Sequence, residues 1–120
     1  MSEVNCIFCK IVRGEIPAKK IHEDAEVIAF HDIRPQAPVH LLIIPKAHVA
    51  TLYDAEAAHI PALGRMLAIA GKLAREAGAA EGFRSIINTG PVGHQEVYHV
   101  HMHVLGGPEP LGPMLQRKRP

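Results

Sequence analysis

Tryptophan is absent from this sequence of 120 residues, and aromatic residues make up only 4% of it. Large rings therefore cannot fill the interior, and aliphatic side chains must do so. Hydrophobic residues account for 48% of the chain, which is enough for one packed core at the length of one ordinary domain. The composition predicts a single domain over residues 1–120.

The sequence also lacks an excess of charge of either sign. Thirteen basic residues stand against twelve acidic ones, and the only basic run, Arg117–Arg119, is typical of a solvated tail. This balance argues against a nucleic-acid partner, because a broad nucleic-acid surface would show clustered lysine and arginine.

Long apolar runs are missing as well. No stretch of about 18 apolar residues occurs, so no membrane association is predicted. The first residues, Met1–Asn5, lack the basic-then-apolar pattern of a signal peptide, and we expect a cytoplasmic protein. In that reducing compartment Cys6 and Cys9 more often bind metal or do redox work than form a structural disulfide.

Hydrophobic spacing and turn residues predict two helices and five strands. The helices are a short one over Cys6–Arg13 and a long one over Ile60–Ala77, which Pro61 opens and Gly78 follows. The buried stripe of the long helix is predicted to be Leu63, Leu67, Ala70 and Leu73 or Ala74. The predicted strands are Lys20–Glu23, Glu26–His31, Val39–Ile44, Phe83–Asn88 and His99–Leu105. This order indicates an α+β fold with a mostly antiparallel sheet.

Histidine is unusually frequent, with nine residues, and three of them alternate within the last predicted strand. Alternate side chains of a strand share a face, so one row is predicted to face the core: Val100, Met102 and Val104. The other row is then polar: His99, His101 and His103. Packing alone would explain one such histidine, but three polar rings in register need partners.

Two kinds of chemistry fit this polar row. Imidazole titrates near neutrality, so one ring can attack as a nucleophile while its neighbours supply or orient protons. A His-x-His pair on a strand is also a metal-ligand spacing, as in zinc hydrolases that activate water. The spacing does not separate these two interpretations.

The segment Gln95–Gly107 resembles the signature of the histidine triad family, with Gln-Glu before the triad and Gly-Gly after it. Similarity extends over nearly the whole chain, and the segments Phe8–Pro17, Phe30–Lys46 and Phe83–Asn88 resemble the HinT branch, the purine nucleoside phosphoramidases. The last similar segment, Pro110–Leu115, resembles bacterial members. The resemblance implies the HIT-like fold, a five-stranded, mostly antiparallel sheet with one long and one short helix.

The resemblance assigns the catalytic roles. It implies that His101 attacks the α-phosphorus of a nucleoside phosphoramidate, that an amine leaves, and that water then releases the nucleoside monophosphate from a nucleotidyl-histidine. It implies that His103 contacts phosphate and supplies or orients a proton. His40 matches a fourth histidine that supports the nucleophile, and its alternative role is that of a hydrogen-bonded core histidine.

The resemblance also implies a nucleotide pocket. Asp32 and Ile33 match positions that hold the nucleoside, and a carboxylate that accepts both ribose hydroxyls is a common recognition device. Asn88 matches a phosphate-side amide donor. The slot for the base matches Phe8, Ile11, Ile16 and Phe30, which without the resemblance would be ordinary core.

The phosphate loop departs from the best-known members, because His94, Gln95 and Glu96 stand where Gly-Gln-Ser is common. A backbone N–H of any of the three can still reach phosphate, but the serine hydroxyl is lost. A carboxylate repels phosphate, so Glu96 is expected to point away or to contact the leaving amine.

Cys6 and Cys9 have the spacing of many zinc knuckles, although one pair supplies only two ligands. The resemblance supplies two more, because some members of the superfamily hold a structural zinc with residues that match His48 and His99. The alternatives are reduced buried thiols and redox chemistry.

The leading prediction is an enzyme that acts on purine nucleotides without a catalytic cofactor. A nucleotide-binding regulator with little catalysis and a dinucleoside polyphosphate hydrolase are the alternatives, and the latter branch usually follows its triad with Pro-Arg where this chain has Gly106-Gly107. The resemblance further implies a homodimer, paired through the long helix and a strand, with a C-terminal arm over about residues 108–120 that reaches the partner's active site.

Overall fold

A computed structural model describes residues 5–114 of the chain. The predicted basic tail, Arg117–Arg119, and the end of the predicted arm lie outside the described residues. The elements are α1 (Ile7–Val12), β1 (Lys20–Glu23), β2 (Val27–His31), β3 (Val39–Pro45), α2 (Ile60–Ala77), β4 (Phe83–Ile86) and β5 (Met102–Gly106), with 3-10 turns at Leu52–Asp54 and Ala57–His59. The predicted α+β fold is confirmed. Within the described range no helix is both long enough and apolar enough to cross a membrane.

The strands form one sheet in the order β1-β2-β3-β5-β4, and all four pairings are antiparallel. The fifth of these strands, β5, therefore lies inside the sheet, with β3 on one side and β4 on the other. β3 is buried along its whole length, as its unbroken apolar run predicts. The two strands that meet at the centre, β3 and β5, carry His40 and His103, and His40 lies opposite Leu105, two residues along β5 from His103.

Helix α2 covers one face of the sheet and builds the main core. It buries Ala62, Met66, Ile69, Ala70, Leu73 and Ala74 against side chains of the sheet. The prediction that Leu67 belongs to this stripe was wrong, since its side chain is 61% exposed. The reason is angular: the stripe is centred on positions 66, 69, 70 and 73, and each helical step rotates the side chain by about 100°.

The opposite face of the sheet is covered by α1. Cys6 caps the helix, its sulfur accepting the Cys9 N–H at 3.4 Å. A second apolar cluster forms here from Cys6, Phe8, Cys9, Ile11, Ile28, Phe30, Leu42 and Ile44. The short helix therefore brings the two cysteines onto the same sheet face as alternate residues of β2 and β3.

Two predicted strand boundaries were wrong by two residues or more, and no other strand end differs by more than one residue. β4 ends at Ile86 and not at Asn88, and β5 begins at Met102 and not at His99. The apolar alternation continues past both ends, because Ile87 and Val100 still pack in the main core. The Val100 N–H donates to the Val49 carbonyl at 2.7 Å and not to a neighbouring strand. Alternation reports which side chains are buried, and it does not report where strand pairing stops.

Candidate active site

The three alternating histidines lie on the sheet face that α1 covers, while Val100, Met102 and Val104 pack in the main core. The Phe8 ring meets His99 and His101 edge-on, with ring centres 5.9 and 5.1 Å away. The rings of His101 and His103 are 5.1 Å apart. Alternate positions therefore bring the polar rings together although only His103 is inside the strand.

His101 has a single tautomer that suits attack on phosphorus. Its Nδ1 lies 2.8 Å from the His99 carbonyl oxygen, which can only accept, so Nδ1 carries the proton and Nε2 keeps its lone pair. The side chain is only 6% exposed, and this burial lowers the pKa of His101 below its usual value. The ring is therefore held neutral, with Nε2 available as a nucleophile.

His40 and His103 form a second, connected pair. The Gln36 N–H donates to His40 Nδ1 at 3.0 Å, so the proton of neutral His40 is on Nε2. That atom lies 2.9 Å from His103 Nδ1 and 3.4 Å from a carboxylate oxygen of Asp32. His103 Nδ1 accepts this bond, and His103 consequently carries its own proton on Nε2.

Asp32, His40 and His103 also place three metal-ligand atoms within 4.8 Å of one another. A metal on His40 would take the Nε2 lone pair and move the ring proton to Nδ1. The Gln36 N–H already points at Nδ1, so that tautomer would set two donors against each other. The hydrogen bonds therefore favour a proton network over a metal at this trio.

The predicted nucleoside residues lie around one end of the histidine row. Asp32 accepts the Arg34 N–H through one carboxylate oxygen at 2.7 Å and faces His40 with the other. A concavity of about 470 Å³ opens beside it, lined by Lys19, His31, Asp32, Ile33 and Pro35. Ile33 is 91% exposed at its rim, and Lys19 and His31 are lining residues that sequence reasoning missed.

The residues predicted to form the base slot are apolar and packed together. Phe8, Ile11 and Phe30 are buried together, with the Phe8 and Phe30 ring centres 5.9 Å apart, and Ile16 packs against the same cluster. These contacts are equally those of an ordinary core, so the slot rests on its position beside Asp32 and His101.

The loop that is predicted to bind phosphate is fixed by a buried glutamine. The Gln95 side chain accepts the Gly90 N–H and donates to the carbonyls of Ala50 and Val97. The loop turns at His94, whose φ of 61° is left-handed, and a side chain at Gly93 would collide with the Thr89 backbone.

This folding restricts what the loop can offer to phosphate. The backbone N–H groups of His94 and Gln95 already donate to Pro91 and Gly90, so among the described residues the N–H of Glu96 is the one of the three that finds no acceptor. The charge of Glu96 acts on the rings of His101 and His103, raising their pKa against the stronger effect of burial. Asn88 is half-buried two residues beyond β4.

A second site, named here the Cys/His cluster, consists of Cys6, Cys9, His48 and His99. Their ligand atoms lie within 4.8 Å of one another. His99 Nε2 donates to the Pro45 carbonyl at 2.8 Å, which leaves the Nδ1 lone pair facing both sulfurs, each 3.5 Å away. His48 Nδ1 lies 3.2 Å from the Cys9 sulfur. Burial lowers the pKa of His99 to about 4, which keeps the ring neutral, as a metal ligand must be.

Comparison with known proteins identifies the family of the chain. A sequence model of the HIT domain matches residues 13–109. The purine nucleoside phosphoramidase of Escherichia coli K12 is 55% identical over 113 residues, which are 93% of this chain and 94% of that protein. A 14 kDa zinc-binding protein of Brassica juncea is 50% identical, over 84% of this chain and 91% of its own. The crystal structure of a HIT family hydrolase from Legionella pneumophila superposes with a TM-score of 0.82 at 52% identity, covering 88% of this chain and 95% of that one. The chain is therefore a member of the histidine triad family.

Proposed function

We propose that this chain is a purine nucleoside phosphoramidase, a hydrolase that cleaves the P–N bond of purine nucleoside 5′-phosphoramidates. The observation that carries the proposal is the tautomer of His101, which leaves Nε2 as the nucleophile. The E. coli relative named a purine nucleoside phosphoramidase supports the substrate class.

The first step forms a covalent intermediate. His101 Nε2 attacks the α-phosphorus, the P–N bond breaks, and the amine leaves with one proton taken up from solvent. The positive charge that develops on the ring is stabilised by the His99 carbonyl, which keeps its bond to Nδ1–H. His103 Nε2–H donates to the phosphoryl oxygens, and His40 holds it in that tautomer.

The second step hydrolyses the intermediate and regenerates the free enzyme. Water attacks the same phosphorus, the P–Nε2 bond breaks, and the nucleoside monophosphate leaves while the protons of water pass to solvent. His101 is then neutral again, with its proton still on Nδ1. Dividing the displacement in two replaces one difficult step with two easier ones.

The test is turnover of adenosine 5′-phosphoramidate. His101→Ala should lose several orders of magnitude in kcat while it still binds AMP, because the ring acts mainly in the transition state. Mass spectrometry after a rapid quench should find an acid-labile nucleotidyl adduct on the wild type only. His59→Ala, a histidine before α2 and outside the site, is the matched control. Near-normal turnover by His101→Ala would refute the mechanism, and cleavage of dinucleoside polyphosphates alone would favour that other hydrolase.

We also propose that the Cys/His cluster holds one structural zinc ion, with no catalytic cofactor elsewhere. Two sulfurs and two Nδ1 atoms form a donor set that zinc prefers, and zinc–ligand distances imply ligand separations of about 3.3–3.8 Å. Three nitrogen–sulfur separations in the cluster are 3.2–3.5 Å, near that range, and all four donor atoms lie within 4.8 Å of one another. When bound, zinc would tie α1 to the histidine segment, and four protein ligands would leave no position for a reacting water.

The purified protein should therefore contain about one zinc per chain. Cys6→Ser should lose the metal and unfold at a lower temperature, because the binding energy of a structural zinc is folding energy. Turnover should survive mild chelation, which does not strip a closed site. Metal-free protein of unchanged stability would reject the site, and inactivation by a chelator while the Cys/His cluster keeps its zinc would indicate a water-activating hydrolase.

Finally, we propose that the domain, residues 1–120, acts as a homodimer in the cytoplasm. β4 is an edge strand of the sheet, and Leu67 lies exposed on the outer face of α2 beside Ala68. The arm begins near Pro108, and its described part is exposed, with the Arg84 guanidinium donating to the Gly112 carbonyl at 2.5 Å. These surfaces suit a two-fold interface with the arm directed at a partner.

A further inference from the structure

Two residues, His99 and Phe8, connect the Cys/His cluster to the candidate nucleophile His101. The His99 ring belongs to the cluster, while its carbonyl oxygen accepts the Nδ1–H of His101 at 2.8 Å. Phe8 stands between Cys6 and Cys9 at the start of α1, and its ring lies edge-on to the rings of His99 and His101.

Little else fixes His101 in place. The ladder between β3 and β5 begins at Met102, opposite Ile43, so the segment from His99 to His101 lies outside the sheet's hydrogen bonds. One backbone bond, from the Val100 N–H to Val49, holds this segment from the core side. On the other side the contacts are the Phe8 ring, the His103 ring and the carbonyl of His99.

The His99 ring is itself fixed at both nitrogens. Nε2–H donates to the Pro45 carbonyl, and Nδ1 faces the sulfurs of Cys6 and Cys9. A shift of either sulfur therefore moves the ring whose backbone carries the acceptor of His101. The cysteines and Phe8 are on the same short helix, so they move together.

We propose that the Cys/His cluster positions the nucleophile, acting on His101 through the His99 carbonyl and through Phe8. This proposal rests on the proposed function for its kinetic readout. Phe8, Cys6 and Cys9 are positioning residues, because they act through the orientation of the His101 ring. Misplacement of reacting groups by about 1 Å can cost roughly a hundredfold in rate, so a small loosening is measurable.

The first test observes the ring without turnover. Nitrogen-15 NMR of the full chain should show the His101 Nδ1–H as a slowly exchanging proton, identified by its loss in His101→Ala. Cys9→Ser, made without changing Phe8, should lose zinc and exchange this proton at least about tenfold faster, since the opening that exposes it becomes easier. An unchanged exchange rate in folded, zinc-free Cys9→Ser would overturn the proposal.

The second test keeps the cluster intact. Phe8→Leu should retain zinc, and its single-turnover rate of His101 nucleotidylation at saturating phosphoramidate should fall roughly tenfold to a hundredfold. Saturation removes any weakening of the base slot from this rate. Tyr53→Leu, an aromatic residue 90% exposed and outside both sites, is the control.

The outcomes separate the two proposals. A wild-type rate of His101 nucleotidylation in Phe8→Leu overturns the positioning role. This test remains valid where Cys9→Ser fails to fold. A wild type that never nucleotidylates His101 refutes the proposed function instead, and the proton-exchange comparison then still tests the coupling.

Discussion

At the scale of single residues, backbone groups determine the protonation of the histidine rings. The His99 carbonyl places the proton of His101 on Nδ1, and the Gln36 N–H places that of His40 on Nε2. The Nε2–H of His40 in turn donates to His103 Nδ1, which leaves the proton of His103 on its own Nε2. Each assignment follows from a backbone group that can only accept or only donate.

His103 should make folding sensitive to acid. Burial, together with the neighbouring His101 and His40, lowers the pKa of His103 to about 4 against the opposing effect of Asp32 and Glu96. The unfolded chain takes up this proton near pH 6.5 and the folded chain only near 4, so between these values acid favours unfolding. Stability from His103 is therefore complete above about pH 6.5 and is lost as the pH falls towards 4.

The measurement is urea unfolding from pH 4 to pH 7. Replacing His103 by Asn should flatten the pH dependence of the free energy of unfolding, by at most about 1.4 kcal/mol for each pH unit. His31→Asn, at an exposed position, is the matched control. A wild-type slope in His103→Asn would contradict the expectation.

At the scale of elements, the end of α2 depends on one glycine. Gly78 has a φ of 112°, and a Cβ there would meet only the Val39 side chain at an ordinary 3.8 Å. The cost of Gly78→Ala is therefore conformational, about 1 kcal/mol of unfolding free energy. Gly64→Ala, inside the helix with open space around it, should instead stabilise by roughly 0.5–1 kcal/mol. Chemical denaturation of both variants tests this, and equal signs would be inconsistent with it.

The elements show what a sequence pattern can and cannot predict. The bounds of α2 were predicted residue for residue because Pro61 and Gly78 mark its ends chemically. The ends of β4 and β5 were missed, because apolar side chains such as Val100 continue into the core where strand pairing has stopped. Hydrophobic alternation in a sequence indicates which side chains are buried. A single sequence carries no separate signal for where strand pairing ends.

The same limit applies to the site. Alternation placed the three histidines on one face, and the resemblance named His40, but nothing in the sequence signals the bond from Gln36 to His40. That bond depends on a loop conformation, as does the place of Lys19 at the concavity beside Asp32, whereas His31 ends β2 and carries no pattern that marks it as a lining residue. Alternation indicated which face a side chain occupies, but contacts made by loop backbone were not predictable.

At the scale of the whole molecule, the chain should sediment as a dimer at micromolar concentration. Leu67→Glu should weaken that dimer, because it puts a charge on the exposed outer face of α2, whereas Val92→Glu in an exposed loop should not. Deleting the residues after Pro110 should change substrate preference more than dimerisation. A fully active monomer would be the contrary result.

The strand order has a consequence for folding of the chain during translation. Of the five strands in the described part of the chain, β5 leaves the ribosome last, yet its place lies between β3 and β4. A nascent chain that ends at Ile86 can pair β1, β2 and β3, but β4 has only β5 as a neighbour and must wait. Asp32 and His40 are then already present, whereas His101 and His103 arrive with the closing strand. Translation therefore completes the nucleoside half of the site first, and the reactive half appears only when the sheet is closed.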